Sequence, residues 1–244
     1  MRMAIFSAFP HEIGLLVKNL NAARISKTLP FTLFRAPCAS GEVIVVQTGM
    51  GIRNAETSLD FVIKEYSPHM ILSSGFGGAL YDNATIGELI WASRVLLVNN
   101  AVRDTIDLPD SDHLFNRLSQ KLTVRKGSVV TLEQWTKKPE IKRTLPRALP
   151  FPVCDMETFP LAKATITRGL PFVAIRSITD LSHEEIPPEL LSVSDESGNY
   201  RLARSLKVLF GNPSLIPRAL SLGKNSAIAS QNLWRAVKAL MELL

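Results

Sequence analysis

Short apolar runs alternate with segments of helical period along nearly the whole chain. This predicts an α/β fold, a three-layer α/β/α sandwich around a central mixed, mostly parallel sheet. Two observations carry the reading. Val43–Thr48 is nearly all β-branched, as expected of a strand buried on both faces, and Phe172–Ser177 is a further apolar strand. Between such runs lie stretches with apolar residues three and four apart, as in Asn54–Tyr66, where Ala55, Leu59, Val62 and Ile63 share a helical face. No internal repeat and no long linker divides the 244 residues. Residues 1–244 are therefore read as one domain, within the ~250 residues that single α/β domains reach.

Met3–Ala8 is the first strand; Pro10 turns the chain into a helix over Glu12–Leu20. Phe31–Arg35 and Val43–Thr48 are two further strands, after which Gly49-Met50-Gly51 interrupts the pattern ahead of the Asn54–Tyr66 helix. Pro68 ends that helix, and the strand Met70–Ser73 runs into a glycine loop, Gly75-Phe76-Gly77-Gly78. Next come a strand around Leu89–Val98 and a polar loop rich in aspartate (Asp104, Asp107, Asp110, Asp112). A helix near Leu114–Lys121, a strand at Ser128–Leu132 and a short helix at Lys138–Thr144 follow. Pro152–Cys154 leads into a helix at Glu157–Thr167, and Gly169-Leu170-Pro171 turns the chain into Phe172–Ser177. His183–Asn199 is polar and proline-bearing and reads as a loop. Arg201–Leu244 reads as helices interrupted by Gly211-Asn212-Pro213, with Pro213–Leu222 an apolar stretch in a helix hairpin.

Composition narrows the function. Hydrophobic residues make up 46% of the chain and charged residues 20%, enough apolar surface to form a core and too much for a disordered chain. No apolar run approaches the ~18–20 residues of a membrane helix, and the N-terminus reads as a strand, not a signal peptide. Two separated cysteines, Cys38 and Cys154, and four histidines without ligand spacing give neither a disulfide scaffold nor a metal site. The expectation is a cytoplasmic protein without metal or cofactor. The net charge of +6 raises a nucleic-acid partner, but the densest basic cluster (Lys137, Lys138, Lys142, Arg143, Arg147) reads as a solvated helix face.

Ligands of α/β sheets bind where strand C-termini meet loops. Four such junctions carry unusual residues: Phe9-Pro10-His11-Glu12, the Gly75–Gly78 run, Asp155-Met156-Glu157, and Thr179-Asp180. Each has an ordinary explanation. Glu12 suits a helix N-terminus, Gly75–Gly78 a tight turn, Glu157 and Asp180 capping positions. Together they place three carboxylates and a glycine loop at one end of the sheet.

In these motifs the chain resembles the nucleoside phosphorylase and nucleosidase superfamily over essentially its whole length. The matching segments are Ser7–Glu12, Thr48–Ala55, Gly75–Gly78, Val153–Thr158 and Arg176–Asp180. The resemblance implies a small-molecule purine nucleoside as partner and cleavage of its N-glycosidic bond. It implies that Asp180 assists the departing base at N7 and that Glu157 binds ribose hydroxyls while Met156 packs under the sugar. Trp135 falls where nucleosidases stack an aromatic on the base, though it suits a core position equally well. Gly75, Phe76, Gly77, Gly78 and Thr179 complete the binding set, and a homo-oligomer, dimer or larger, is expected.

Water is favoured over phosphate as the second reactant. Classical phosphorylases of the superfamily carry a Gly-Asp-Pro-x-Arg segment near the first strand and an Arg before the glycine loop. Here those places hold Phe9–Ile13 and Ser73-Ser74, with no cation for a phosphate dianion. Glu12 matches the carboxylate that orients the attacking water. Arg53 is the residue to watch for a phosphorylase, and a non-catalytic nucleoside-binding relative is the third alternative. Phe76 is bulkier than usual for methylthioadenosine/adenosylhomocysteine nucleosidases, and the long C-terminal part is similar to the hopanoid-associated branch.

Overall fold

Alternate residues of the two central strands pack into different cores. A computed structural model describes residues 1–26, 29–39, 41–108, 111–134, 137–146, 148–184 and 211–244. In it, Ala4 and Phe6 of β1 (Arg2–Ser7) and Ile44 and Val46 of β4 (Gly41–Gln47) enter one apolar cluster. Met3 and Ile5, Val43 and Val45, enter the other. Side chains of a strand point alternately to its two faces, so a strand apolar at every position requires cover on both.

Helices supply that cover. On one side Ala55, Leu59 and Val62 of α2 (Ile52–Tyr66) and Phe159, Leu161 and Ala162 of α5 (Thr158–Thr167) complete the first cluster. On the other lie Ile13 and Leu16 of α1 (Pro10–Asn19), Leu114 and Leu118 of α3 (Asp112–Ser119), and Leu233, Val237 and Leu240 of α6 (Ile216–Leu243). This is the expected three-layer arrangement. Each fully buried leucine contributes about 1.5–3 kcal/mol by leaving water, so the layering is set by which residues are apolar.

The remaining elements are β2 (Ala23–Arg24), β3 (Thr32–Cys38), β5 (Met70–Ala79), β6 (Leu89–Asn99), β7 (Ala101–Asp107), β8 (Val124–Leu132), α4 (Lys138–Thr144), β9 (Pro152–Asp155) and β10 (Phe172–Asp180). The strands run in the order β10-β6-β8-β9-β5-β1-β4-β3-β2, with β7 on the side of β6. Because β10 also pairs with β5, the strands β5, β9, β8, β6 and β10 close into a ring. The sheet is mixed. β4, β1, β5 and β10 run parallel through its centre, and antiparallel pairs join β3 to β4, β6 to β7, β5 to β9 and β6 to β10.

Several expectations change. The aspartate-rich segment is not a loop up to Asp107 but the strand β7, a hairpin partner of β6 with side chains alternately exposed. The glycine run is not a loop either: β5 continues through Gly75–Gly78 to Ala79, paired with β10 on one side and β9 on the other. Ile216–Leu243 is one helix of 28 residues. The expected polar loop over His183–Asn199 lies outside the described residues from residue 185 onward, as does 201–210 of the C-terminal segment.

Candidate active site

Glu12 is the third residue of α1, and its carboxylate turns back on the helix start. Oε2 accepts the Phe9 N–H at 2.8 Å, which caps the helix. Oε1 accepts the N–H of Phe76, on β5, at 2.6 Å. One side chain thus ties the first helix to the glycine-rich strand. The side chain is buried, and this burial holds its pKa above the ordinary 4.5, against the lowering effect of the two amides.

Gly75 makes this contact possible. A Cβ there would lie 2.8 Å from Glu12 Oε1. Gly78 plays the same part for Asp180, since its Cβ would lie 2.8 Å from Asp180 Oδ2 and 3.2 Å from Lys138 Cε. Gly77 is pressed between Arg176 and Val153, each 3.4 Å from where its Cβ would stand. The glycines are a strand whose missing side chains leave room for functional groups on neighbouring elements.

Glu157 precedes α5, and its Oε1 accepts the Gly51 N–H at 2.7 Å. Gly51 holds φ at 97°, in the left-handed region where glycine is unstrained. Burial first, and then the Asp155 charge, push the Glu157 carboxyl up to about 8. Glu12 and Glu157 line one small cavity with Ser7, Thr48, Ser73, Gly75, Phe76 and Arg176.

Arg176 was not among the expected site residues, although it stands in the Arg176–Asp180 motif. Its guanidinium donates to Asp155 Oδ2 from Nε at 3.0 Å and Nη2 at 2.7 Å, and to Ser73 Oγ at 2.7 Å. The expectation of no cation near Ser73 is thereby corrected: one arrives from the neighbouring strand, where a search along β5 alone does not find it. Its charge is nevertheless matched. The Arg176–Asp155 pair is almost fully buried, with side chains 4% and 3% exposed, and Asp155 also accepts the Thr131 hydroxyl and the Thr158 N–H.

Asp180 ends β10, opposite Gly78. Gly75 and Gly78 are three residues apart on β5, roughly 10 Å at ~3.3 Å per residue, and an odd separation faces opposite sides of a strand, so Asp180 lies further along β5 than Glu12 and is not among the residues that line the Glu12–Glu157 cavity. Its Oδ1 accepts the Thr179 hydroxyl at 2.8 Å, and its Oδ2 is ion-paired with Lys138. Thr179 therefore serves Asp180 through its hydroxyl, while its carbonyl accepts Asn225 of α6 at 3.0 Å. Lys138 corrects a second expectation. It belongs to the basic cluster read as a solvated face, yet it is buried at the start of α4. Met156 is half-buried against the cluster of Leu80, Val130 and Cys154. Trp135 lies outside the described residues. Arg53 is exposed on α2.

A family model described as the phosphorylase superfamily matches residues 2–206. The chain belongs to that superfamily. A 5′-methylthioadenosine/S-adenosylhomocysteine nucleosidase of Shewanella halifaxensis is 22% identical over 220 residues, with 82% of this chain and 95% of the relative covered. One from Staphylococcus aureus is 22% identical over 200 residues, covering 75% and 88%. Among solved structures, the Neisseria meningitidis 5′-methylthioadenosine/S-adenosylhomocysteine nucleosidase in complex with methylthio-immucillin-A superposes with a TM-score of 0.75 at 17% identity, covering 100% of this chain and 99% of that one. Futalosine hydrolase of Helicobacter pylori gives 0.74 at 15% identity, covering 100% and 98%. This superfamily member therefore shares its fold with nucleosidases along its whole length.

Proposed function

We propose that the chain is a purine nucleosidase that cleaves the N-glycosidic bond of adenosine-type, 5′-substituted nucleosides with water. The observation that carries this is the placement of Glu12. A buried carboxyl group fixed by the Phe9 and Phe76 amides shares a cavity with Glu157, which gives an attacking water an acceptor, while the Arg176 that also lines the cavity is already matched by Asp155.

Cleavage builds positive charge on the sugar and negative charge on the base. Glu157 receives the ribose hydroxyls, with Met156 beside the sugar. Gly75, Phe76, Gly77 and Gly78 form the backbone wall between the sugar and base ends. Glu12 accepts a hydrogen bond, and then the proton, from the attacking water; its raised pKa makes it a better base than an exposed carboxylate. Asp180, oriented by Thr179, supplies the proton to purine N7.

Arg176 is the one observation favouring the second reading, a phosphorylase that gives a sugar 1-phosphate. Its pairing with Asp155 speaks against it, because a guanidinium already matched by a buried carboxylate has little charge to offer a second anion. The similarity of the nucleosidases named above supports the hydrolytic reading, and the hopanoid-associated resemblance of the C-terminal part suggests a bulky 5′ group. The chain is further read as one domain, because its strands join in one sheet, and as a cytoplasmic homo-oligomer. Among the described residues no helix is long and apolar enough to cross a membrane.

The deciding experiment measures base release with and without phosphate across adenosine, methylthioadenosine, inosine and a 5′-bulky adenosine. Free adenine and free sugar, at a rate indifferent to phosphate, are the expected products. A sugar 1-phosphate as main product transfers the chain to the phosphorylases.

A further inference from the structure

Lys138 is a buried lysine for which the fold alone has no need. Its side chain and that of its partner Asp180 are each 4% exposed, and burying two charges costs more than packing apolar groups of the same size. Nζ has three acceptors for its three hydrogens: Asp180 Oδ2, the Leu181 carbonyl at 2.6 Å and the Asp180 carbonyl at 3.3 Å. Gly78 leaves the space in which the two side chains meet. The nearby Cys154 thiol, pushed up to about 12 by burial, stays neutral and does not compete for the proton.

We propose that Lys138 is a positioning residue that also supplies the reaction's proton, passing it through Asp180 to N7 of the departing purine. The inference rests on the nucleosidase reading. In the resting pair the proton sits on the ammonium and Asp180 is a carboxylate. As the C1′–N9 bond breaks, its electron pair goes to the base. Lys138 passes its proton to Asp180 Oδ2 and becomes a neutral amine, and the Asp180 carboxyl formed in this way gives a proton to N7 and is a carboxylate again. Water adds to C1′ and gives its proton to Glu12. Exchange with solvent then moves one proton from Glu12 back to Lys138, so the net change is nucleoside plus water to sugar plus free base.

The test compares wild type, Lys138→Arg and Lys138→Gln on methylthioadenosine and on p-nitrophenyl β-riboside, whose leaving group departs without a proton. Arginine keeps the charge but cannot give up its proton. Lys138→Arg is expected to lower kcat on the purine substrate by about 10²-fold or more, with KM within a few-fold, and to lower the purine-to-nitrophenyl rate ratio at least tenfold. Lys138→Gln is expected to be the more active of the two on the purine, because a buried Asp180 without its cation holds the proton itself. A purely structural lysine gives the reverse order. Arginine matching or exceeding glutamine, or both substrates falling in parallel, overturns the proposal. Should Lys138→Gln not fold, the rate ratio of Lys138→Arg against wild type decides alone. A wild type that cleaves neither substrate overturns the nucleosidase reading itself, a distinct result visible before any variant is made.

Discussion

Gly75 and Glu12 occupy each other's space: the Cβ that Gly75 lacks would lie 2.8 Å from Glu12 Oε1. The backbone of β5 and the carboxylate of α1 are fitted to one another, and the Phe76 N–H beside them fixes the carboxylate's direction. Gly75→Ala therefore displaces the far end of a side chain and leaves the strand in place. The expected result is a circular-dichroism spectrum like that of wild type with kcat lower by about 10²-fold, the loss that follows from misplacing a catalytic group by an ångström.

Glu12→Gln exchanges a base for an amide and should nearly abolish hydrolysis, without rescue by phosphate. In the wild type, kcat should fall on the acid side as Glu12 takes up a proton, with the midpoint above the ordinary carboxylate value of 4.5 because burial favours the neutral form. A wild-type profile flat down to pH 4 removes Glu12 as the base.

Asp180→Asn should lower turnover on purine nucleosides by about 10²–10⁴-fold, the worth of general-acid assistance, while the substrate still binds. Steady-state rates and equilibrium binding of an unreactive nucleoside analogue check the two halves separately. An Asn variant of near-normal rate takes Asp180 out of the chemistry.

Glu157 links the site to stability. Its carboxyl titrates near 4.5 in the unfolded chain and at about 8 in the folded one, so between these values the native state holds a proton the unfolded state has lost. Its contribution to stability is present below about 4.5 and is lost as pH rises towards 8. Glu157→Gln should therefore raise Tm at pH 8.5 relative to wild type more than at pH 5, while weakening ribose-bearing ligands and sparing free adenine. Thermal melts at the two pH values and titrations with both ligands test this.

Asp155→Ala leaves the Arg176 guanidinium buried without its counter-charge. Breaking such a pair costs about 3–5 kcal/mol, which lowers Tm by roughly 6–20 °C in a domain of this size. A shift of less than 2 °C places the Arg176–Asp155 pair outside the interactions that hold β9 and β10 together.

The local order of strands and helices, the two-sided burial of β4, and the junctions that carry Glu12, Glu157 and Asp180 were legible in the sequence. All depend on the identity and spacing of near neighbours. A β-branched run demands cover on both faces wherever it lies, and a carboxylate beside a helix start is visible from a few residues. The glycine run was legible as a place of close approach but not as a strand, because its pairing to β9 and β10 joins it to segments about 75 and 100 residues away. The same holds for Arg176, whose partners Ser73 and Asp155 lie on other strands, and for Lys138, which reads as one of several surface cations until the end of β10 is laid against the start of α4. Sequence by itself determined the layers and which residue types stand at the strand ends. Only the tertiary structure decided which charges meet, since ion pairing depends on distance through space, and in a buried site a single ångström decides whether a charge is matched or stranded.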